Sequence, residues 1–266
     1  MRMRRSIWFW LQLVFTLAVC AFLIVPIVLS MLAGVTQNYF IGLSSGFTLQ
    51  WVIKVWDDYR APVLLSIQLA GACLVCNLVL GVPAAYVLAK RQNAFTRAIE
   101  ELLVMPVAVP GIATALALIV TYGSLGGFRT HWTFILAGHV LFTLPFMVRS
   151  VLAVMMSIDL TTLEEGARSL GASFVQRFFG VILPNCRAGI IAGALMVVTL
   201  SLGEFNMTLL LHTPLTQTLP VGLADTYASL RLEVGSAYTL VFFVIIIPLL
   251  VAMQWASNAA SRARSV

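Results

Sequence analysis

Asp159-Leu160-Thr161-Thr162-Leu163-Glu164-Glu165-Gly166-Ala167-Arg168-Ser169-Leu170-Gly171, followed nine residues later by Val181-Ile182-Leu183-Pro184, is the stretch around which the rest of the chain arranges itself. It belongs to a polar segment, 157–187, that separates two apolar runs. Thr161 with Glu164, and Thr162 with Glu165, have the Ser/Thr-x-x-Glu spacing of a capping box, so the pattern predicts a helix starting here. Leu163, Ala167 and Leu170 recur at i, i+4, i+7 and form one apolar stripe. Gly171 supplies a turn, because glycine takes positive φ without a Cβ clash. A second short helix follows with Phe174, Phe178 and Val181 on one face, and Pro184 is expected to stop it. Two short amphipathic helices joined at a glycine are the expectation. A helix that lies on a lipid surface has the same periodicity.

The residues on either side explain what this polar island sits in. Hydrophobic residues make up 61% of the chain and charged residues 10%, with a mean hydropathy of +0.99. A soluble domain carries about 25% charged residues, so most of this chain is solvated by lipid. Apolar runs at 7–32, 62–89, 102–122, 132–148, 188–211 and 236–255 are each as long as the about 17–25 residues with which a helix crosses a bilayer, or longer. The expected fold class is therefore all-α, a polytopic membrane protein of six transmembrane helices with the 157–187 loop on one side. Residues 1–61 form a first span and an external loop, with a short amphipathic helix expected at 47–59. Residues 62–255 form the core and 256–266 a tail. The first run is too long for the core of a signal peptide and reads as an uncleaved span.

The formal charge of +6 is distributed between the runs and forms no patch for nucleic acid. With the N-terminus inside, the cytoplasmic side receives Arg2, Arg4, Arg5, Lys90, Arg91, Arg97, Arg149, Arg168, Arg177, Arg187, Arg262 and Arg264. The outside receives Lys54, Arg60, Arg129 and Arg231. Twelve against four places both termini in the cytoplasm by the positive-inside rule. Pro26, Pro83, Pro106, Pro110, Pro145 and Pro248 fall within the runs and should bend them. Gly189-x-x-x-Gly193 permits a close helix contact. Cys73-x-x-Cys76 lies inside an apolar run without other ligands and reads as reduced thiols.

The 157–187 stretch resembles the E-A-A-x3-G-x9-I-x-L-P signature of the membrane permeases of ATP-driven (ABC) importers. Glu165, Ala167, Gly171, Leu183 and Pro184 match in register, Gly166 stands in the second alanine position, and Val181 replaces the isoleucine. Gly166 should lower helix stability by roughly 1 kcal/mol relative to alanine. The resemblance covers about 62–255. It implies that Glu164, Glu165, Gly166, Ala167, Gly171, Leu183 and Pro184 form a coupling helix seated in a groove of a cytoplasmic ATPase. It also implies a dimer of that ATPase, a second permease subunit (in this subfamily usually a related, different chain), a periplasmic substrate-binding protein and a bacterial inner-membrane location. ATP and Mg would reside on the ATPase, with no cofactor on this chain. Lys54 and Lys90 are the only lysines and neither precedes Ser or Thr as in a P-loop, so the energy must come from another polypeptide.

Other motifs carry less. Gly42-Leu43-Ser44-Ser45-Gly46 fits G-x-S-x-G but lacks the strand-to-helix elbow and histidine that hydrolases need. His131, His139 and His212 have no metal-ligand spacing. His139 reads as a hydrogen-bonded bundle residue, and neither a catalytic nor a metal set is assigned. Glu204, inside the fifth run, costs about 2.5–3.5 kcal/mol to insert at that depth and so faces a cavity, a pathway or a partner. With Ser201 and Asn206 it forms the candidate translocation stripe; a bundle-ordering Glu is the equal alternative. Permeases of the resembled family for cations and for oxyanions both often carry a polar or acidic residue here. Leu202-Gly203-Glu204-Phe205 and Thr218-Leu219-Pro220-Val221 resemble the polyamine, opine and phosphonate group. That implies a small amine-bearing solute, spermidine or putrescine first and 2-aminoethylphosphonate second. A secondary transporter is the reading from a different class, and it leaves the 157–187 signature unused.

Overall fold

The computed structural model describes the backbone of residues 7–262 and the side chains of residues 7–255; Arg2, Arg4, Arg5 and Arg264 of the charge argument lie outside the described residues. The fold is all-α. Among the described residues, the sole β feature is an isolated antiparallel bridge between Thr36 and Phe47. The principal helices are α1 (Ile7–Ala33), α2 (Gln50–Lys90), α3 (Ala94–Ala108), α4 (Gly111–Tyr122), α5 (Trp132–Ser157), α6 (Leu160–Ser169), α7 (Phe174–Arg177), α8 (Leu183–Gly203), α9 (Thr208–Leu211), α10 (Leu219–Ala228) and α11 (Leu232–Arg262). Five helical stretches are long and apolar enough to cross a membrane, and α3 with α4 supplies a sixth when the bent pair counts as one broken span.

Three expectations need correction. The surface helix at 47–59 is not separate: residues 50–59 open α2, a single helix of 41 residues that passes through Pro62 and Pro83. The third run is broken, with α3 and α4 meeting at 103°. Pro110 is the cause, since a residue preceding proline is driven to extended backbone, and Val109 has φ −87° and ψ 132°. Nor does Pro184 end a helix. A π-helical turn, Phe178–Ile182, joins α7 to α8, so the helical stretch runs unbroken over Phe174–Gly203. Pro184 has no N–H for an i→i−4 bond, and a widened turn just before it is how a helix absorbs such a gap.

Packing divides the chain into two units. In the first, residues 1–60 and 223–245, Gly34 lies so close to Ser236 and Ala237 that a Cβ would meet the Ala237 nitrogen at 2.4 Å. Ser30 and Tyr227 share a hydrogen bond there, and the Tyr39 amide donates to Glu233. In the second, residues 61–222 and 246–266, α5 packs along α8. Gly189 and Gly193 allow it as expected: added Cβ atoms would stand 2.5 Å from the Ser150 carbonyl oxygen and 2.7 Å from Met147 Sδ. Around that seam Met147, Val151, Met155, Cys73, Ala85, Ile182 and Val197 make the buried core.

Candidate functional site

The polar loop is built from its ends inward. Asp159, not a threonine, caps α6: its carboxylate accepts the Thr162 amide at 3.1 Å and the Thr162 hydroxyl at 2.6 Å. Those bonds hold the exposed Asp159 carboxyl below its usual range. The two capping boxes expected from Thr161 and Thr162 are therefore not formed, because Asp159 is a stronger acceptor one turn earlier. At the other end Gly171 has φ +83°. Its amide donates to Arg168 O and the Ala172 amide to Ala167 O, the paired bonds of a Schellman ending. The turn at Gly171 is as expected.

Glu164, freed from capping, turns inward. Its carboxylate accepts from Lys90 Nζ at 2.9 and 3.0 Å and from Tyr86 Oη at 3.0 Å, and Arg177 Nε lies 3.5 Å away. Burial works against its charge, but the bonds from Lys90 and Tyr86 outweigh it and hold the carboxyl below the ordinary range. Arg177 Nη1 donates to Ala172 O, and Tyr86 packs against Phe174 and Phe178 with ring centres 6.1 and 5.6 Å apart. Glu164 thus pins the loop to the end of α2. Glu165 and Gly166 stay exposed, Ala167 is half-buried, and Leu170 is 88% exposed. A cavity of about 210 Å³ between Lys90, Leu160, Glu165 and Arg168 opens beside them. Leu183 and Pro184 open α8, and Leu183 packs against the buried core.

The second group lies where α8 gives way to α9. Glu204 sits in the break, with φ −71° and ψ 120°, not within a continuous span, so no helical stripe joins it to Ser201. Its carboxylate accepts the amides of Met207 and Thr208 at 2.8 Å each and the Thr208 hydroxyl at 2.6 Å. Its side chain is 8% exposed. Ser201 is buried 2.9 Å from His139 Nδ1, whose Nε2 lies 2.8 Å from Thr208 Oγ1. Thr208 has one hydroxyl proton and gives it to Glu204; the His139 tautomer that serves all three contacts carries its proton on Nε2. His139 is the bundle residue expected. Asn206 is exposed and stands apart from this network.

Sequence reasoning missed Tyr86, Lys90 and Arg177 as the loop's anchor, and Thr208 beside Glu204. Only Lys90 gave a signal: it is the sole lysine in the core and falls at the end of an apolar run.

The described helices make a polytopic membrane fold with one broken span and an ordered polar loop pinned to the end of α2. Residues 77–263 match the family described as "Binding-protein-dependent transport system inner membrane component", and the chain belongs to that family. Among its relatives, the sulfate transport system permease protein CysW of Synechocystis is 27% identical over 71% of this chain and 74% of that protein. The molybdenum transport system permease protein ModB of Mycobacterium tuberculosis is 27% identical over 76% and 81%. The putrescine transport system permease protein PotI of Escherichia coli K12 is 26% identical over 87% and 83%. In fold it is similar to a bacterial ABC transporter that imports alginate, with a TM-score of 0.73 at 15% identity over 95% of this chain and 96% of that one. The polyamine group is thus one of several substrate classes among the relatives, and the chain is a permease subunit of an ABC importer.

Proposed function

We propose that this chain forms one wall of the solute pathway of an ATP-driven importer and that α6 receives the closure of a cytoplasmic ATPase. The observation that carries this is the division of labour between adjacent carboxylates. Glu164 is buried and bonded to Lys90 and Tyr86, so that α6 and α2 move together, while Glu165, Arg168 and Leu170 face outward as a contact surface. A helix that merely lay on lipid would have no use for such an anchor. In this reading a pair of ATPase chains holds ATP and Mg, a related permease chain completes the pathway, and a periplasmic binding protein delivers the solute. The complex resides in the bacterial inner membrane with both termini cytoplasmic, as the distribution of basic residues supports.

The solute we favour is a small amine-bearing one, a polyamine before 2-aminoethylphosphonate. Its support is the putrescine permease, whose similarity extends over 87% of the chain, against 71% and 76% for the sulfate and molybdenum relatives. Glu204 adds nothing to it, because its oxygens are already occupied by α9.

Two experiments test the reading. A photo-crosslinking residue at Leu170 should capture the co-purified ATPase in the assembled complex; capture of lipid alone would contradict the coupling role. Calorimetric titration of the partner binding protein should give tight binding of putrescine, spermidine or 2-aminoethylphosphonate. Tight binding of sulfate or molybdate in their place would overturn the amine assignment and leave the permease role standing.

A further inference from the structure

Lipid cannot hydrogen-bond the backbone groups of an irregular segment that follows an apolar span, so each must find a partner within the protein. Helix α9 is only four residues long, Thr208–Leu211, and every one of its backbone polar groups is accounted for. On the donor side, Thr208 N–H goes to Glu204 Oε2, Leu209 N–H to Phe205 O, and the amides of Leu210 and Leu211 to Met207 O. On the acceptor side, Thr208 O takes the His212 amide at 2.8 Å, and Leu209 O lies 2.9 Å from His212 Nδ1. The last two carbonyls are held by one guanidinium: Arg129 Nη1 donates to Leu211 O at 2.7 Å and Nη2 to Leu210 O at 3.0 Å. The acid stands at the N-terminus of α9 and the base at its C-terminus, the arrangement that complements a helix dipole.

Arg129 and Glu204 are 75 positions apart in the chain, yet they close the two ends of the same turn. Both are also held by their surroundings. Arg129 stacks over Phe134 at 5.3 Å. Glu204 lies beside the start of α4, where a Cβ on Gly111 would stand 3.6 Å from Oε1 and 3.3 Å from the Met207 nitrogen. The start of α4 and the end of α8 therefore lie together at Glu204. On the remaining side, α9 presses Met207 and Leu211 against Gly138 of α5, at 2.6 and 2.7 Å from the position of its missing Cβ.

We infer that α9 is a pre-assembled piece of the pathway wall and that Arg129 and Glu204 are the positioning residues that clamp its ends, neither touching the solute. The inference deepens the transport reading and rests on it. Its chemistry differs from that of a substrate carboxylate: the charges serve backbone groups, so removing either should slow the conformational cycle without changing what the pathway recognises.

The test uses the full complex, in detergent for hydrogen exchange and in proteoliposomes for uptake, with E204Q, R129A and the double variant. Losing a charge-assisted clamp should raise exchange of the 207–212 amides about tenfold or more, with the α5–α8 seam around 186–198 unchanged. Labelled putrescine, sulfate and molybdate are each offered, and the one the wild type carries is followed. Maximal uptake should fall about tenfold in each single variant, with the half-saturating concentration unchanged, and the double variant should be no worse than either. R129K, which keeps one donor to the same carbonyls, should recover part of both signals. A raised half-saturating concentration in E204Q with full maximal rate would overturn the clamp and make Glu204 a solute contact, as would unchanged exchange in both single variants. A wild-type complex that carries none of the three solutes would overturn the favoured substrate class, while the exchange data still decide the clamp.

Discussion

Glu164 and Glu165 are neighbours with opposite fates, and the difference lies in what each can reach. Glu164 meets Lys90 and Tyr86 at 2.9–3.0 Å; Glu165 meets solvent. Glu164→Ala should therefore loosen α6 by about 1–2 kcal/mol, seen as faster amide exchange over 160–171, whereas Glu165→Ala should leave that exchange unchanged. The sign of the pH effect follows from the direction of the Glu164 shift. A carboxyl held below its ordinary value contributes stability above that value and loses it as pH falls through the lowered one. The loop's protection, corrected for intrinsic exchange rate, should hold at pH 6–8 and decline on acidification below the ordinary Glu value of 4.5. Protection that increased toward acid pH would contradict the anchor. Gly166 gives a prediction of opposite sign. It sits mid-helix with nothing within 4 Å of an added Cβ, so Gly166→Ala should stabilise α6 by about 0.5–1 kcal/mol, read as slower exchange.

At the scale of elements, the α5–α8 seam depends on two missing side chains. Gly189→Val would drive its Cβ into the Ser150 carbonyl at 2.5 Å, a backbone atom that cannot swing away. The expected cost is about 1–3 kcal/mol or more, visible as a lower thermal midpoint in detergent. An unchanged midpoint would mean that the helices do not approach so closely. This contact was legible in the sequence as Gly189-x-x-x-Gly193, as were the positive φ at Gly171 and the apolar lengths of the spans, because each is a local demand on residue type. The breaks were less legible. Pro110 could be read as a bend, but whether a proline kinks a helix or parts it depends on what receives the freed backbone groups, and those partners come from distant residues. Glu204 shows the same limit. Period and hydropathy place it inside an apolar run, whereas the break after Gly203 lets its carboxylate take the Met207 and Thr208 amides and the Thr208 hydroxyl. Likewise Asp159 outcompeted Thr161 and Thr162 for α6 because side-chain geometry at a helix start, not spacing alone, selects the cap.

The whole molecule is a permease subunit of an ABC importer, and the proposed coupling runs from α6 through Glu164 and Lys90 into α2. Topology is the first requirement. A cysteine placed at Gln50, the first residue of α2, should react with a membrane-impermeant maleimide from the periplasmic side only; reaction from the cytoplasmic side alone would invert the charge argument. The most direct test of the coupling itself is ATP-driven solute uptake by proteoliposomes that contain the complete complex, with wild type and Glu165→Lys compared alongside ATP hydrolysis. The account predicts uptake by the wild type only when ATPase and ATP are present. In Glu165→Lys it predicts hydrolysis that continues at its basal rate while uptake falls to background. Uptake by this chain without any ATPase, or normal solute-stimulated hydrolysis and uptake in Glu165→Lys, would contradict it.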